Sequence, residues 1–140
     1  MGLKRIYRHM MTAERHVRKI FQQTQLNRIS NAIKASETRH SGEIRVAVES
    51  SLELQQLLGQ QTPRQRAIEV FSELHVWDTE LNNGVLIYVL LADHAKAFAQ
   101  GQFEEGVMSC IEAVSEKLIE HFPHRREDEN ELPDAPVLIG

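Results

Sequence analysis

The segment from Trp77 to Asp93, W-D-T-E-L-N-N-G-V-L-I-Y-V-L-L-A-D, constrains this chain more than any other. Val85 to Leu91 is an unbroken apolar run rich in β-favouring residues, and Asn82-Asn83-Gly84 introduces it with a strong turn signal. An apolar run without polar alternation reads as a strand covered on both faces, which predicts the central position of an α/β sheet. Asp78, Thr79, Glu80, Asn82 and Asn83 precede the run and Asp93 follows it, so polar groups gather at both of its ends.

A second strand is predicted over Glu43–Glu49, where Ile44, Val46 and Val48 alternate with polar or small residues. Its weaker second face, Arg45 and Ala47, places it nearer an edge. Helices are expected around these strands. Leu26, Ile29 and Ile33 recur at helical spacing from Thr24, a hydroxyl N-cap, to about Arg39. Thr62-Pro63-Arg64-Gln65 combines an N-cap hydroxyl, proline at the first helical position and a glutamine that completes a capping box. Ala67, Ile68, Val70, Phe71 and Leu74 give that helix a broad apolar face, and His75 follows it as a C-terminal residue rather than a ligand. A last helix runs from Gln102 to Phe122 with Phe103, Val107, Cys110, Ile111, Val114 and Leu118 on its apolar face, which predicts a buried thiol for Cys110.

The chain ends differ in charge. Residues 1–23 form a basic amphipathic segment in which Lys4, Arg5, Arg8, Arg15, Arg18 and Lys19 are interleaved with Ile6, Met10, Val17, Ile20 and Phe21. Such a segment either packs on the domain or lies on an anionic surface. Residues 124–140 carry Glu127, Asp128, Glu129, Glu131 and Asp134 and read as an acidic, flexible tail, with only Val137, Leu138 and Ile139 able to pack. With 140 residues and one cysteine, the expectation is a single domain stabilised by its apolar core, without a disulfide. The amino terminus lacks the pattern of a secretory signal, and no apolar run approaches the roughly 20 residues of a membrane-spanning helix. A cytoplasmic protein, peripheral at most to the inner face of the membrane, is expected. A net charge of −4 predicts no general affinity for nucleic acid.

The polar residues at the strand ends are the candidate site. Glu49 and Asp93 stand at the carboxyl ends of the two predicted strands, where ligands bind in open α/β sheets, and oxygen-rich groups of this kind suit Ca2+ or Mg2+. Asp78, Glu80, Asn82 and Asn83 are secondary polar candidates, more in keeping with turn formation and helix stopping. If the strands are parallel, these four lie at the opposite edge from Glu49 and Asp93. The seven histidines show no zinc spacing, and no phosphate-binding loop or dinucleotide motif is present, so no nucleotide cofactor is expected.

Together, E-I-R-V-A-V-E, T-P-R-Q-R-A-I-E-V-F, H-V-W-D-T-E-L-N-N-G-V-L-I-Y-V-L-L-A-D and Q-F-E-E-G-V resemble the TPM domain family, in its bacterial branch without signal peptide or membrane tail. The resemblance implies a three-layer α/β/α sandwich around a small mixed β-sheet over residues 24–123. Members include proteins associated with photosystem II repair and channel modulation; acid phosphatase activity has been proposed for some and calcium binding for others. Some are encoded beside LemA-type membrane proteins, which suggests such a protein as partner. The family continues after its Ala-Asp with a further strand, a loop and a helix, whereas here Asp93-His94-Ala95 leads directly to Lys96-Ala97-Phe98. Two strands alone make a poor core for so many apolar helices, so a missing layer is expected, supplied by a stretch between Ala95 and Lys96 or by strand exchange in a homodimer.

Two functions remain at this level. The first is a binding module that meets a membrane-associated partner or an anionic surface, with a divalent-cation site. The second is a metal-assisted, acid-phosphatase-like hydrolase holding its ion on Glu49 and Asp93.

Overall fold

In a computed structural model, residues 2–11, 22–93, 102–125 and 130–139 are described. Their order is α1 (Leu3–Met11), α2 (Gln23–Glu37), β1 (Glu43–Glu49), α3 (Leu54–Leu58), α4 (Pro63–Glu73), β2 (Gly84–Leu90), α5 (Gln102–His121) and β3 (Val137–Ile139). The architecture is an α/β sandwich around a small parallel sheet of three strands in the order β2-β1-β3.

That order corrects the expected strand positions. β1 is central and β2 is an edge strand. Ile44, Val46, Ala47 and Val48 are at most 1% exposed, whereas Gly84 to Val89 remain half-buried. The alternation of β1 misled because its polar residues are satisfied in place. Arg45 donates to the carbonyls of Pro133 (2.9 Å) and Ala135 (2.7 Å), and Glu49 is held by side chains described below. Within the segment expected to be a tail, the three residues able to pack, Val137, Leu138 and Ile139, supply the third strand. Val137–Ile139 pairs with Ala47–Glu49, and Leu132 and Asp134 are buried. The layer expected to be missing is thus partly provided by the carboxyl terminus, and all described strands run parallel rather than mixed. The junction between Ala95 and Lys96 lies outside the described residues.

One face of the sheet, Ile44, Val46 and Val48 with Val85, Ile87, Val89 and Leu138, packs under α2 and α5 through Ile29, Ile33, Phe103, Val107, Ile111 and Leu118. Leu52, Leu57 and Leu90 form a smaller cluster on the other side, joined by Ile6 of α1 and by Tyr88. The stripe on α5 advances by four residues from Phe103 to Val107 to Ile111, which leaves Cys110 outside it; the thiol is exposed, not buried as expected. Between α2 and α5 a polar chain is buried in the interface. Ser36 bonds to the His40 Nε2 (2.7 Å) and to Ser115, whose hydroxyl donates to the Ile111 carbonyl (2.5 Å).

The capping box that begins α4 forms as expected: Thr62 Oγ1 accepts from the Gln65 N–H (3.1 Å), and Gln65 Oε1 accepts from the Thr62 N–H (2.8 Å). The N-cap of α2 is Gln22 rather than Thr24, with no side-chain cap bond. Among the described residues no helix is long and apolar enough to cross a membrane.

Candidate functional site

Parallel pairing sets Glu49 level with Leu90, so both β1 and β2 direct their carboxyl ends to one edge of the sheet. Asp93 follows β2 at the same edge, after the Ala92 N–H donates to the Ser50 carbonyl (3.0 Å). The two expected site residues therefore share an edge, as parallel strands require. Each is already occupied by a helix-borne guanidinium.

Glu49 receives Arg66 of α4 in a fork: Nε to Oε1 at 2.9 Å and Nη2 to Oε2 at 3.2 Å. The Tyr88 hydroxyl donates to Oε1 at 2.6 Å. Arg66 also donates through Nη1 to Glu69 (2.9 Å) and Glu73 (3.1 Å), one and two turns along its own helix. The Glu49 hydrogen bonds raise the guanidinium's pKa against the opposing effect of burial, keeping it charged. Burial, followed by the adjacent Glu49 carboxylate, raises the Tyr88 phenol, so this hydroxyl stays a donor and is not a nucleophile at neutral pH.

Asp93 is gripped from α1. Arg5 donates from Nε to Oδ1 and from Nη2 to Oδ2, both at 2.8 Å. His9 is 2% exposed and contacts both the chain and the acid: its Nδ1 accepts the Leu52 N–H at 2.9 Å, and its Nε2 lies 2.8 Å from Asp93 Oδ1. Because an amide can only donate, Nδ1 is the acceptor and Nε2 carries the proton given to Asp93. Burial would raise the Asp93 carboxyl, but the bonds from Arg5 and His9 together outweigh it and hold the group below its ordinary range. Arg5, one of the cations of the basic amphipathic segment, is turned inward.

A divalent ion at Glu49 or Asp93 would have to displace a forked arginine, and among the described residues no three His, Cys, Asp or Glu side chains are placed to hold a metal. This donor set fits Ca2+ or Mg2+ poorly. The secondary candidates lie at the opposite edge and build the turn into β2. Asn83 is buried; its amide donates to the Ser41 carbonyl (3.0 Å) and its backbone N–H to Thr79 Oγ1 (3.1 Å). Asn82 takes a left-handed φ of 52°, the Asp78 N–H bonds to the His75 carbonyl (3.0 Å), and the Glu80 N–H bonds to the Glu131 carboxylate (3.0 Å).

At that same edge is a carboxyl cluster with no signature in the sequence. Glu37, Glu43 and Asp134 line a cavity of about 260 Å³. Glu37 accepts the Ile44 N–H (2.9 Å), and burial, then hydrogen bonds with Glu43 and Asp134, push its pKa up to about 10, so it holds a proton at neutral pH. Its members come from a helix end, a strand start and the tail, and no local pattern connects them.

Several large apolar side chains are exposed on the outward side of α1. Leu3, Tyr7, Met10 and Met11 are 84, 65, 71 and 59% exposed, at spacings that place them along one stripe, with Lys4 and Arg8 exposed beside them, the latter 3.9 Å from Asp93. Met10 belongs to the apolar residues of the amphipathic pattern in residues 1–23, and Leu3 and Tyr7 extend it. Residues 12–21 of the basic segment lie outside the described residues.

Comparison with known proteins places this geometry in context. A family model described as "TPM domain" matches residues 16–124. The chain is similar to the BA42 protein from the psychrophilic bacterium Bizionia argentinensis, solved by NMR, with a TM-score of 0.68 and 29% identity over 82% of this chain and 92% of that one. No curated protein matches the chain.

Proposed function

The chain belongs to the TPM domain family, and we propose that it acts as a binding module that seats α1 on an anionic membrane surface, without turnover. The observation that carries this reading is the outward stripe of Leu3, Tyr7 and Met10 flanked by Lys4 and Arg8, on a helix whose other side is locked down by Asp93. A helix of this kind lies in the interface plane with its apolar side among the acyl chains and its cations at the headgroups. Full burial of each large apolar side chain contributes about 1.5–3 kcal/mol. Each basic residue near an anionic surface adds about 1 kcal/mol. The sum is a reversible contact of moderate strength. The arginine-neutralised carboxylates at the sheet edge favour this reading over a hydrolase, since neither is free to hold an ion or act as a base.

Co-sedimentation with vesicles tests it. Wild-type protein is expected to pellet with vesicles rich in phosphatidylserine and to remain in solution with phosphatidylcholine alone. Replacing Leu3 and Tyr7 by Ala, or Lys4 and Arg8 by Gln, should each weaken the binding. Indifference of the wild type to anionic vesicles would end the reading; binding to native membranes but not to pure lipid would point to a membrane protein, of the LemA type or another, as the partner.

A further inference from the structure

Among the described residues the outer edge of β2 is unpaired. β1 takes one side of the strand, and among the described residues no strand takes the other. Its seven residues, G-V-L-I-Y-V-L, contain no charge and no proline, which are the usual means of keeping an edge from pairing. Beside it is a groove of about 390 Å³ lined by Arg64, Ala67, Ile68 and Phe71 of α4 and by Val85 and Leu86 of β2. Val85 packs with the α2 and α5 side of the sheet, and Leu86, its neighbour, points to the opposite face. A groove touching both must run along the strand's edge. Ile68, 59% exposed, stands beside it without cover.

We propose that a second copy of this chain fills this edge, β2 pairing antiparallel with its counterpart about a two-fold axis near Ile87. The occupant is identified by self-complementarity. With Ile87 opposite the partner's Ile87, Val85 meets the partner's Val89 and Leu86 meets the partner's Tyr88. Both members of each pair lie on the same face of the joined sheet, because positions that sum to an even number share a face in a strand of period two. No facing pair carries a charge, so the copies meet there without like charges opposed, although each chain carries a net −4. Antiparallel pairing closes after two copies, whereas parallel addition would continue into a fibre. The product is one continuous sheet of twice three strands, with Ile68 and Phe71 of each α4 brought to the joint.

Sedimentation velocity across the micromolar to millimolar range reads the association directly. The wild type is expected to shift with concentration from the 16.1 kDa monomer to its dimer. Ile68→Lys, a change at an exposed position that leaves the monomer core untouched, should weaken dimerisation about tenfold or more, since it places a charge where the joint excludes water. Leu86→Lys, its folding checked by circular dichroism, should do the same. A wild type that remains monomeric throughout, or a dimer that both variants leave intact, would overturn the proposal. So would a monomer that takes an extended peptide from another protein at this edge.

Discussion

Removing the Asp93 carboxylate should release α1 from the domain. The acid accepts from Arg5 Nε, Arg5 Nη2 and His9 Nε2, each at 2.8 Å. Side chains of Arg5, His9 and Asp93 are 15, 0 and 12% exposed, so in Asp93→Ala water compensates the arginine only in part and His9 very little. Taking one partner from a fully buried ion pair costs about 3–5 kcal/mol. Partial solvent access reduces this to about 2–4 kcal/mol. Urea unfolding gives the loss, and hydrogen exchange over residues 3–11 shows where it falls: α1 should lose protection while β1 and α5 keep theirs. Arg8→Ala is the control, because Arg8 lies 3.9 Å from Asp93 with a side chain 44% exposed, and should cost under about 0.5 kcal/mol. The pH dependence follows with a definite sign. The folded Asp93 pKa lies below its unfolded value, so its contribution is present above that unfolded value and is lost as pH falls through the folded one. Wild type should lose stability on acidification below about pH 4 more steeply than Asp93→Ala. An Asp93→Ala protein within about 0.5 kcal/mol of wild type, with α1 still protected, would refute the reasoning.

Other consequences are local. A Cβ on Gly84 would stand 2.0 Å from the Val76 carbonyl oxygen, a backbone atom, so Gly84→Ala should cost about 3 kcal/mol or more in thermal or urea unfolding, or abolish soluble expression. The Glu37 pKa is raised to about 10, so its contribution is full below its unfolded value and declines as pH rises toward 10. Glu37→Gln keeps an acceptor for Ile44 and a donor for Glu43; it should flatten that decline and stabilise the protein by roughly 2 kcal/mol at pH 7, allowing for partial solvent access. Parallel pH profiles for the two proteins would count against the cluster. Exposed Cys110 should react with a thiol reagent in the native state at nearly the rate of the unfolded chain.

What could be read in the sequence followed local physics. The Thr62 capping box, the β2 run and the stripe on α5 each carry their signal within a few residues, and each formed. Position within the sheet did not follow. β1 is central because Val137–Ile139, legible as apolar but not as a strand, pairs with its far side, and that partner lies about ninety residues away in sequence. Gly84 was legible as a turn residue, yet its stronger constraint is the backbone of Val76 pressed against it. Glu49 and Asp93 could be assigned to one sheet edge from strand direction alone. That Arg66 and Arg5 neutralise them could not be foreseen, because Arg5 and Asp93 are 88 positions apart and nothing local distinguishes an inward arginine from a solvated one. Cys110 shows the limit of periodicity at a stripe's margin, where one residue's displacement separates core from solvent.

The proposed membrane contact of α1 is tested most directly by a polarity-sensitive fluorophore placed on its outward stripe. In a Cys110→Ser background, Met10→Cys carries the label, and a second protein labelled through Glu69→Cys on α4 serves as reference. The account predicts a blue shift and rising intensity at position 10 when phosphatidylserine vesicles are added, with no change at position 69. A label at position 10 whose spectrum stays that of a water-exposed probe on saturating anionic vesicles would contradict it.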